Sequence, residues 1–358
     1  MTTKKQRLFL ISNMYPSTEN VRYGIFVKNF ENAVSGFFQV EKVVLTKKHS
    51  LVSKFLGYLK LYFQIAQLYF KCGKNDLVYV HFPLHVAPAL LPFWLLNRKV
   101  ILNFHGSDLI FNSTFKKALS FFLIPGLKKS HIVLPSNYYK EKLMSQFDVS
   151  SSKLLVYPSG GINNEVFSPS RSEKIENSNF VIGFVSNFIE GKGWRIFLDA
   201  LKKIKEEKAI NNFEILIVGD GPDKQEILTI LAGINNKFEI ISNISQKELA
   251  ALYNRMDVFI FPTYREEESL GLVGLEALAC GTPVIASKTG GPLGYVEDGV
   301  NGFLFDKKDD EMLKEKILVF HALPHNEKVV MKKNAINTAK NYDSVTVNKQ
   351  LVAFLKNL

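Results

Sequence analysis

The chain repeats one rhythm twice. Short apolar runs of three to six residues alternate with segments long enough for a helix. In the first half the runs are 8–11, 40–45, 77–80, 100–103 and 131–134. In the second they are 180–185, 213–218, 238–241, 258–261 and 284–286. Strands that alternate with helices predict parallel sheets covered by helices on both faces. The polar stretch 168–179 between the halves reads as a linker. The expected organisation is therefore a domain over 1–167, a linker over 168–179 and a second domain over 180–339, with a helix at about 340–358 closing the chain. Open α/β sheets bind ligands beyond the carboxyl ends of their strands. Two such Rossmann-like domains facing across a cleft would make a natural ligand site.

Length agrees: 358 residues suit two domains of roughly 150 to 200 residues each. Two cysteines, Cys72 and Cys280, provide no disulfide framework, which fits a reducing, cytoplasmic setting. The basic start, Lys4-Lys5-Gln6-Arg7, leads into only four apolar residues, so it reads as a first strand and not as a signal peptide. The net charge of +11 is uneven. Residues 1–170 carry 21 Lys and Arg against 8 Asp and Glu; residues 171–358 carry 24 against 26. A basic half attracts nucleic acid or an anionic membrane. With no zinc-ligand spacing and no RNA-binding motif, the reading is a membrane surface and no nucleic acid.

The segment 51–70 bears on this point. Lys54, Lys60, Gln64 and Gln67 interrupt it, so it does not read as a membrane span. Phe55, Leu59, Tyr62, Ala66 and Tyr69 share one helical face. Two roles are open to that face, which can coexist on one helix: packing on the sheet, or lying on a bilayer.

Chemistry concentrates in Glu268-Ser-Leu-Gly-Leu-Val-Gly-Leu-Glu276 and the Gly-Thr-Pro that follows at 281–283. A glycine-containing turn feeds a helix start here, with one carboxylate at its mouth and one further in. The free amides and dipole of a helix N-terminus bind phosphate. Ser269 can donate, and Gly271 lets a ligand come close. A phosphate near Leu270–Leu272 would leave Glu268 beside one end of the ligand, and Glu276 placed for paired hydroxyls such as those of a ribose. The plain alternative is a first-turn glutamate favouring the dipole and a second that is only solvated.

Four further motifs accompany it. Lys192-Gly193 follows the run 180–185 and supplies a mobile point charge suited to a diphosphate. Gly219-Asp220-Gly221-Pro222 follows 213–218 and reads as a strand-to-helix turn. His105-Gly106-Ser107-Asp108 follows 100–103. Gly24 lies in the first loop, between Tyr15-Pro16-Ser17 and Ile25-Phe26-Val27.

Taken in this order, the motifs resemble those of retaining glycosyltransferases of the GT-B fold, family 4 (glycosyl transferases group 1). The resemblance is strong over residues 180–305 and scattered over 8–170. It implies that the first glutamate, Glu268, and Ser269, Leu270, Gly271 and Leu272 hold the donor sugar and diphosphate, and that Glu276 binds the ribose. It implies further that Lys192 contacts the diphosphate, that His105 reaches the sugar, and that Gly24 lets the backbone approach the diphosphate from the other domain. The family's terminal helix returns to the first domain. Two departures stand out. Asn187 occupies a place where the family often has arginine, five residues before Lys192. Pro158-Ser-Gly-Gly-Ile-Asn163 keeps only the turn character of the usual motif and reads as structural.

The implied activity is transfer of a sugar from a nucleotide diphosphate, UDP by family frequency, to a glycan or lipid-linked acceptor in cell-surface polysaccharide synthesis. No Asp-x-Asp pair is present. A lysine and a helix N-terminus would replace a metal, and no cofactor is expected. The expected location is cytoplasmic, peripheral on the inner face of the cell membrane through the basic domain. The alternatives are a nucleotide-sugar epimerase of the same fold, and a non-catalytic membrane- or nucleic-acid-binding protein.

Overall fold

A computed structural model of the chain describes residues 5–21, 23–170, 179–234 and 236–358. Most of the expected linker, 171–178, lies outside the described residues. The chain divides into two compact units, Met1–Gly160 with Val347–Leu358, and Gly161–Thr346.

The first unit holds β1 (Arg7–Tyr15), β2 (Gln39–Thr46), β3 (Leu77–His81), β4 (Lys99–Asn103), β5 (His131–Leu134) and β6 (Leu154–Val156). They form one parallel sheet in the order β2-β1-β3-β4-β5-β6. Between them run α1 (Ile25–Ser35), α2 (Leu51–Lys71), α3 (Ala87–Leu95), α4 (Thr114–Leu127) and α5 (Asn137–Gln146). Strand side chains alternate between faces. Phe9, Ile11, Val78, Val80 and Leu102 enter one core with Leu61 and Ile65 of α2. Leu8, Leu10, Leu77, Tyr79 and Ile101 enter the other, with Val27 and Phe30 of α1.

The second unit holds β7 (Phe180–Val185), β8 (Phe213–Val218), β9 (Lys237–Ile241), β10 (Val258–Phe261), β11 (Val284–Ser287) and β12 (Gly302–Phe305). Their order, all parallel, is β12-β11-β10-β7-β8-β9. Its helices are α6 (Trp194–Glu206), α7 (Lys224–Ile234), α8 (Gln246–Arg255), α9 (Leu272–Ala279), α10 (Asp310–Ala322) and α11 (His325–Lys340). On α6 the buried residues Trp194, Phe197, Leu201 and Ile204 recur at helical spacing and face the sheet. Ser245 and Glu248 close a reciprocal capping box at the start of α8. The last helix, α12 (Ser344–Lys356), buries Val347, Leu351, Val352 and Leu355 in the first unit's core. Tyr157 there donates to Asn348 Oδ1 at 2.7 Å.

All ten expected apolar runs are strands. Two edge strands, β6 and β12, were not foreseen: each is short, and β12 opens on a glycine. The structure decides between the two roles left open for the face of α2. The helix packs through Gly57, Leu61, Ile65 and Leu68, whereas Phe55, Leu59 and Ala66 point outward. Apolar residues occur on both faces, and Gly57 decides between them. It meets Leu45 of β2 so closely that a Cβ would lie 2.8 Å from Leu45 Cδ1.

In the first unit Gly126 of α4 sits against the Trp94 ring, whose indole donates to Ser130 Oγ at 2.9 Å. A Cβ at 126 would overlap that ring. Gly126→Ala is expected to destabilise the first unit by about 1–3 kcal/mol, as overpacking does. Urea unfolding checks this; an unchanged transition would contradict the packing described.

Candidate functional site

Each sheet has one place where its strand order reverses direction, and such switch points open a crevice beyond the strand ends. In the second unit that place lies between β7 and β10. The loop after β7 carries Asn187, Lys192 and Gly193; the loop after β10 runs from Thr263 to Gly271 and starts α9.

These two loops are joined. Lys192 Nζ contacts Glu268 Oε2 at 2.6 Å, with both side chains mostly buried. Thr263 Oγ1 lies 3.2 Å from the same oxygen and 3.2 Å from the Gly191 carbonyl oxygen. Tyr264 N donates to Gly191 O at 3.0 Å. Gly193, at φ 79°, presses on Pro262 so closely that a Cβ would overlap its carbonyl oxygen. From β11, Gly291 N donates to Glu268 O at 3.2 Å, and a Cβ on Gly290 would lie 2.5 Å from that oxygen.

The helix start completes this cluster. Gly271 caps α9 in the left-handed region, φ 75°, and Tyr295 donates to its carbonyl at 2.8 Å. The amides of Leu272 and Val273 belong to the first turn, where a helix leaves donors unspent. Ser269 Oγ is buried with no hydrogen-bond partner among the described residues. A polar atom left so at a helix N-terminus suits an anionic ligand. Glu276 lies one turn further along, accepting from Tyr253 OH at 3.3 Å; burial raises its carboxyl to about 7. Tyr295 lies within reach of both carboxylates: burial, then the charges of Glu268 and Glu276 among its neighbours, hold its phenol well above the ordinary value.

Lys192, Glu268, Ser269, Leu270, Gly271, Leu272 and Glu276 thus gather around the start of α9. Asn187 is exposed on the preceding loop. The Gly219–Pro222 turn supports that loop: Phe188 N donates to Asp220 O at 2.8 Å, and Ser186 N to Val218 O at 3.0 Å.

In the first unit the order reverses between β1 and β3. Gly24, φ 72°, caps α1 there, where a Cβ would lie 2.7 Å from the Met14 carbonyl carbon. Phe26 of the same helix packs on His105, ring centroids 4.7 Å apart. His105 Nε2 meets His81 Nδ1 at 2.9 Å, and Asn103 Nδ2 lies 3.3 Å from that same His81 nitrogen. Burial pushes His105 down to about 3 and His81 well below its ordinary value, so both rings are neutral at pH 7. Asp108 does not point outward. It accepts from the His105 amide at 2.9 Å, and burial raises it to about 7. Its role is to fix the loop that carries His105.

Sequence reading missed Thr263, Tyr253, Tyr295 and His81. The only signal was position: Thr263 and His81 each fall at the carboxyl end of a strand, where ligand-site residues collect.

The model of the family described as glycosyl transferases group 1 matches residues 168–338. Over that segment, a little under half of the chain, the sequence is similar to the glycosyl transferases group 1. An uncharacterised glycosyltransferase of Methanocaldococcus jannaschii is 28% identical over 331 residues, 87% of this chain and 88% of the relative. The capsular polysaccharide biosynthesis glycosyltransferase CapM of Staphylococcus aureus is 29% identical over 192 residues, 52% of this chain. The chain spans about half, 48%, of CapM's length. Among solved structures, Anabaena Alr3699/HepE in complex with UDP superposes with a TM-score of 0.74 at 20% identity, covering 99% of this chain and 100% of its own. The two units have the GT-B fold. The α9 start and Lys192 both fall inside the matched segment.

The buried carboxyl of Glu276 has a consequence for stability. The folded chain keeps this proton up to about pH 7, whereas an unfolded glutamate releases it near its ordinary value of 4.5. Between those values the folded state binds more protons, so this group's contribution to stability falls as pH rises. Glu276→Gln is expected to melt with wild type at pH 4.5 and several degrees above it at pH 8. Parallel melting curves across that range would contradict a buried, protonated Glu276.

Proposed function

We propose that this chain is a retaining glycosyltransferase. It moves a sugar from a nucleotide diphosphate sugar, UDP-linked in the first instance, to a glycan or lipid-linked acceptor in cell-surface polysaccharide synthesis. The observation that carries the reading is the junction of Lys192, Glu268 and the α9 N-terminus at the switch point of a group 1 domain. The UDP bound to the Anabaena neighbour supports the choice of base, and the capsular relative supports the pathway class.

As the bond from sugar C1 to the diphosphate breaks, negative charge grows on the leaving group. Lys192 and the Leu272 and Val273 amides stabilise it as preorganised donors. Glu268 already holds Lys192 in place, at 2.6 Å, and takes the sugar hydroxyls on its other side. Glu276 accepts from the ribose hydroxyls. Within the first unit, His105 and the Gly24 backbone are the groups suited to a sugar hydroxyl and a phosphate. His105 is neutral, which suits a hydroxyl better than a phosphate. The acceptor enters from the side the diphosphate leaves, and the diphosphate takes its proton. No protein base and no metal are needed.

Thermal unfolding with UDP, GDP, ADP and CMP tests the donor site. A ligand at about 100 times its Kd adds roughly 2.7 kcal/mol to the native state. UDP is expected to raise Tm. Lys192→Ala is expected to weaken UDP roughly 10–100-fold, as loss of a charged hydrogen bond does, and Glu276→Ala comparably. Turnover is expected to persist in EDTA, with the anomeric configuration of the donor kept in the product. No Tm shift with any diphosphate, or variants that bind as wild type does, would overturn the reading.

A further inference from the structure

Three neighbouring helices of the first unit, α2, α3 and α4, contain no aspartate or glutamate at all. They carry Lys54, Lys60, Lys71, Lys116 and Lys117. The same helices leave large apolar side chains in solvent: Phe55 is 64% exposed, Phe63 64%, Leu95 75% and Phe121 76%. Isolated exposed apolar residues need no explanation, but a run of them on adjoining helices marks an interaction surface. Between α2 and α4 lies a groove of about 420 Å³, lined by Phe55, Tyr58, Leu59, Tyr62, Phe115 and Leu119, with Lys54 at the rim.

The tyrosine hydroxyls of that groove are already engaged inward, while His85, also in its wall, keeps Nδ1 buried with no hydrogen-bond partner among the described residues. Tyr62 OH donates to the His85 carbonyl oxygen at 2.9 Å, and Asn13 Nδ2 donates to Tyr58 OH at 3.1 Å. The walls therefore offer hydrocarbon-compatible surface and almost nothing that would read a peptide backbone. Aromatic and aliphatic groups interleaved with lysines, with no acid among them, complement an anionic lipid surface. Among the described residues no helix is long and apolar enough to cross a membrane, so contact would be from one side.

We propose that the α2–α3–α4 face docks on an anionic bilayer and that the groove between α2 and α4 takes one lipid hydrocarbon chain. This surface lies wholly in the first unit and does not depend on the donor site of the second. It agrees with an acceptor held at a membrane.

Flotation with vesicles of phosphatidylglycerol and phosphatidylcholine, against phosphatidylcholine alone, tests it. Binding is expected to the anionic vesicles and to weaken at high salt. Lys54→Glu with Lys60→Glu should cost at least tenfold, on the scale of roughly fivefold per surface lysine. The triple change Phe55→Ser, Phe63→Ser, Phe121→Ser removes only exposed groups and should abolish binding without lowering Tm. Phe115→Trp reports the groove, and lipid brominated along its acyl chains should quench its fluorescence. Absence of vesicle binding, or equal binding by the variants, would overturn the docking surface. An unquenched Phe115→Trp in a bound protein would overturn the groove assignment. The UDP melting shift of the same variants separates the two readings. Lost flotation with an intact shift removes the surface alone, and a wild type that floats but shows no shift removes the donor site alone.

Discussion

The donor half of the molecule depends on backbone lying directly against backbone. Gly193 meets the Pro262 carbonyl, and Gly290 and Gly291 meet the backbone of Glu268 and Leu270, with no room for a Cβ at any of these contacts. Three parallel strands, β7, β10 and β11, therefore deliver their loops into one stack. Lys192, Glu268 and the α9 start are fixed by this stack more than by their own side chains. The Lys192–Glu268 pair alone would be a modest tie between two flexible groups. Thr263, bridging Glu268 and the Gly191 carbonyl, and Ser287, which donates to the Thr263 carbonyl, hold it in one geometry. A preorganised cation and helix dipole need no rearrangement as charge develops, which is where their value for catalysis lies.

The two units handle charge differently. Around α9 an ion pair and a helix N-terminus stand ready for an anion. Around His105 the rings are neutral: two imidazoles face each other, packed among Phe26, Phe30, Tyr79 and Phe82. Asp108, the nearest carboxylate on that loop, is spent on the His105 amide and raised by burial. A neutral hydrogen-bonding group beside aromatic rings discriminates among hydroxyl patterns. A charged one discriminates between phosphate and no phosphate. The chemistry of a nucleotide sugar asks for both.

Much of this was legible in the sequence, for physical reasons that can be named. The ten apolar runs read as strands because a parallel sheet covered on both faces tolerates little polarity along a strand. The segment 268–276 read as a helix start flanked by carboxylates because spacing along one chain is local information. The supports were not legible. Thr263, Tyr253 and His81 meet Glu268, Glu276 and His105 only after the sheets form, at separations of 5, 23 and 24 residues. Of these only Thr263 is near in sequence, and nothing in Pro-Thr-Tyr announces it. The role of the Phe55 face of α2 stayed open for a related reason: helical spacing fits both apolar stripes of that helix, and the close contact of Gly57 with Leu45 places the other stripe on the sheet. Residues 171–178, read as linker, lie outside the described residues.

The charge distribution carries the last step. The unit that has the features of a diphosphate site is the one without excess positive charge: Gly161–Thr346 holds 22 basic against 27 acidic side chains. Long-range attraction therefore contributes little to donor binding, and affinity has to come from the few oriented donors at the start of α9. With asparagine at 187, those donors carry one fewer fixed charge than the resembled pattern offers, which places more weight on Lys192. The basic excess of residues 1–170 is then free of that task. It sits partly on helices that also expose phenylalanines and carry no acid, a combination that no soluble diphosphate requires. On the two proposals above, a donor site insensitive to the surface field and a basic unit that selects where the acceptor is met are separate functions.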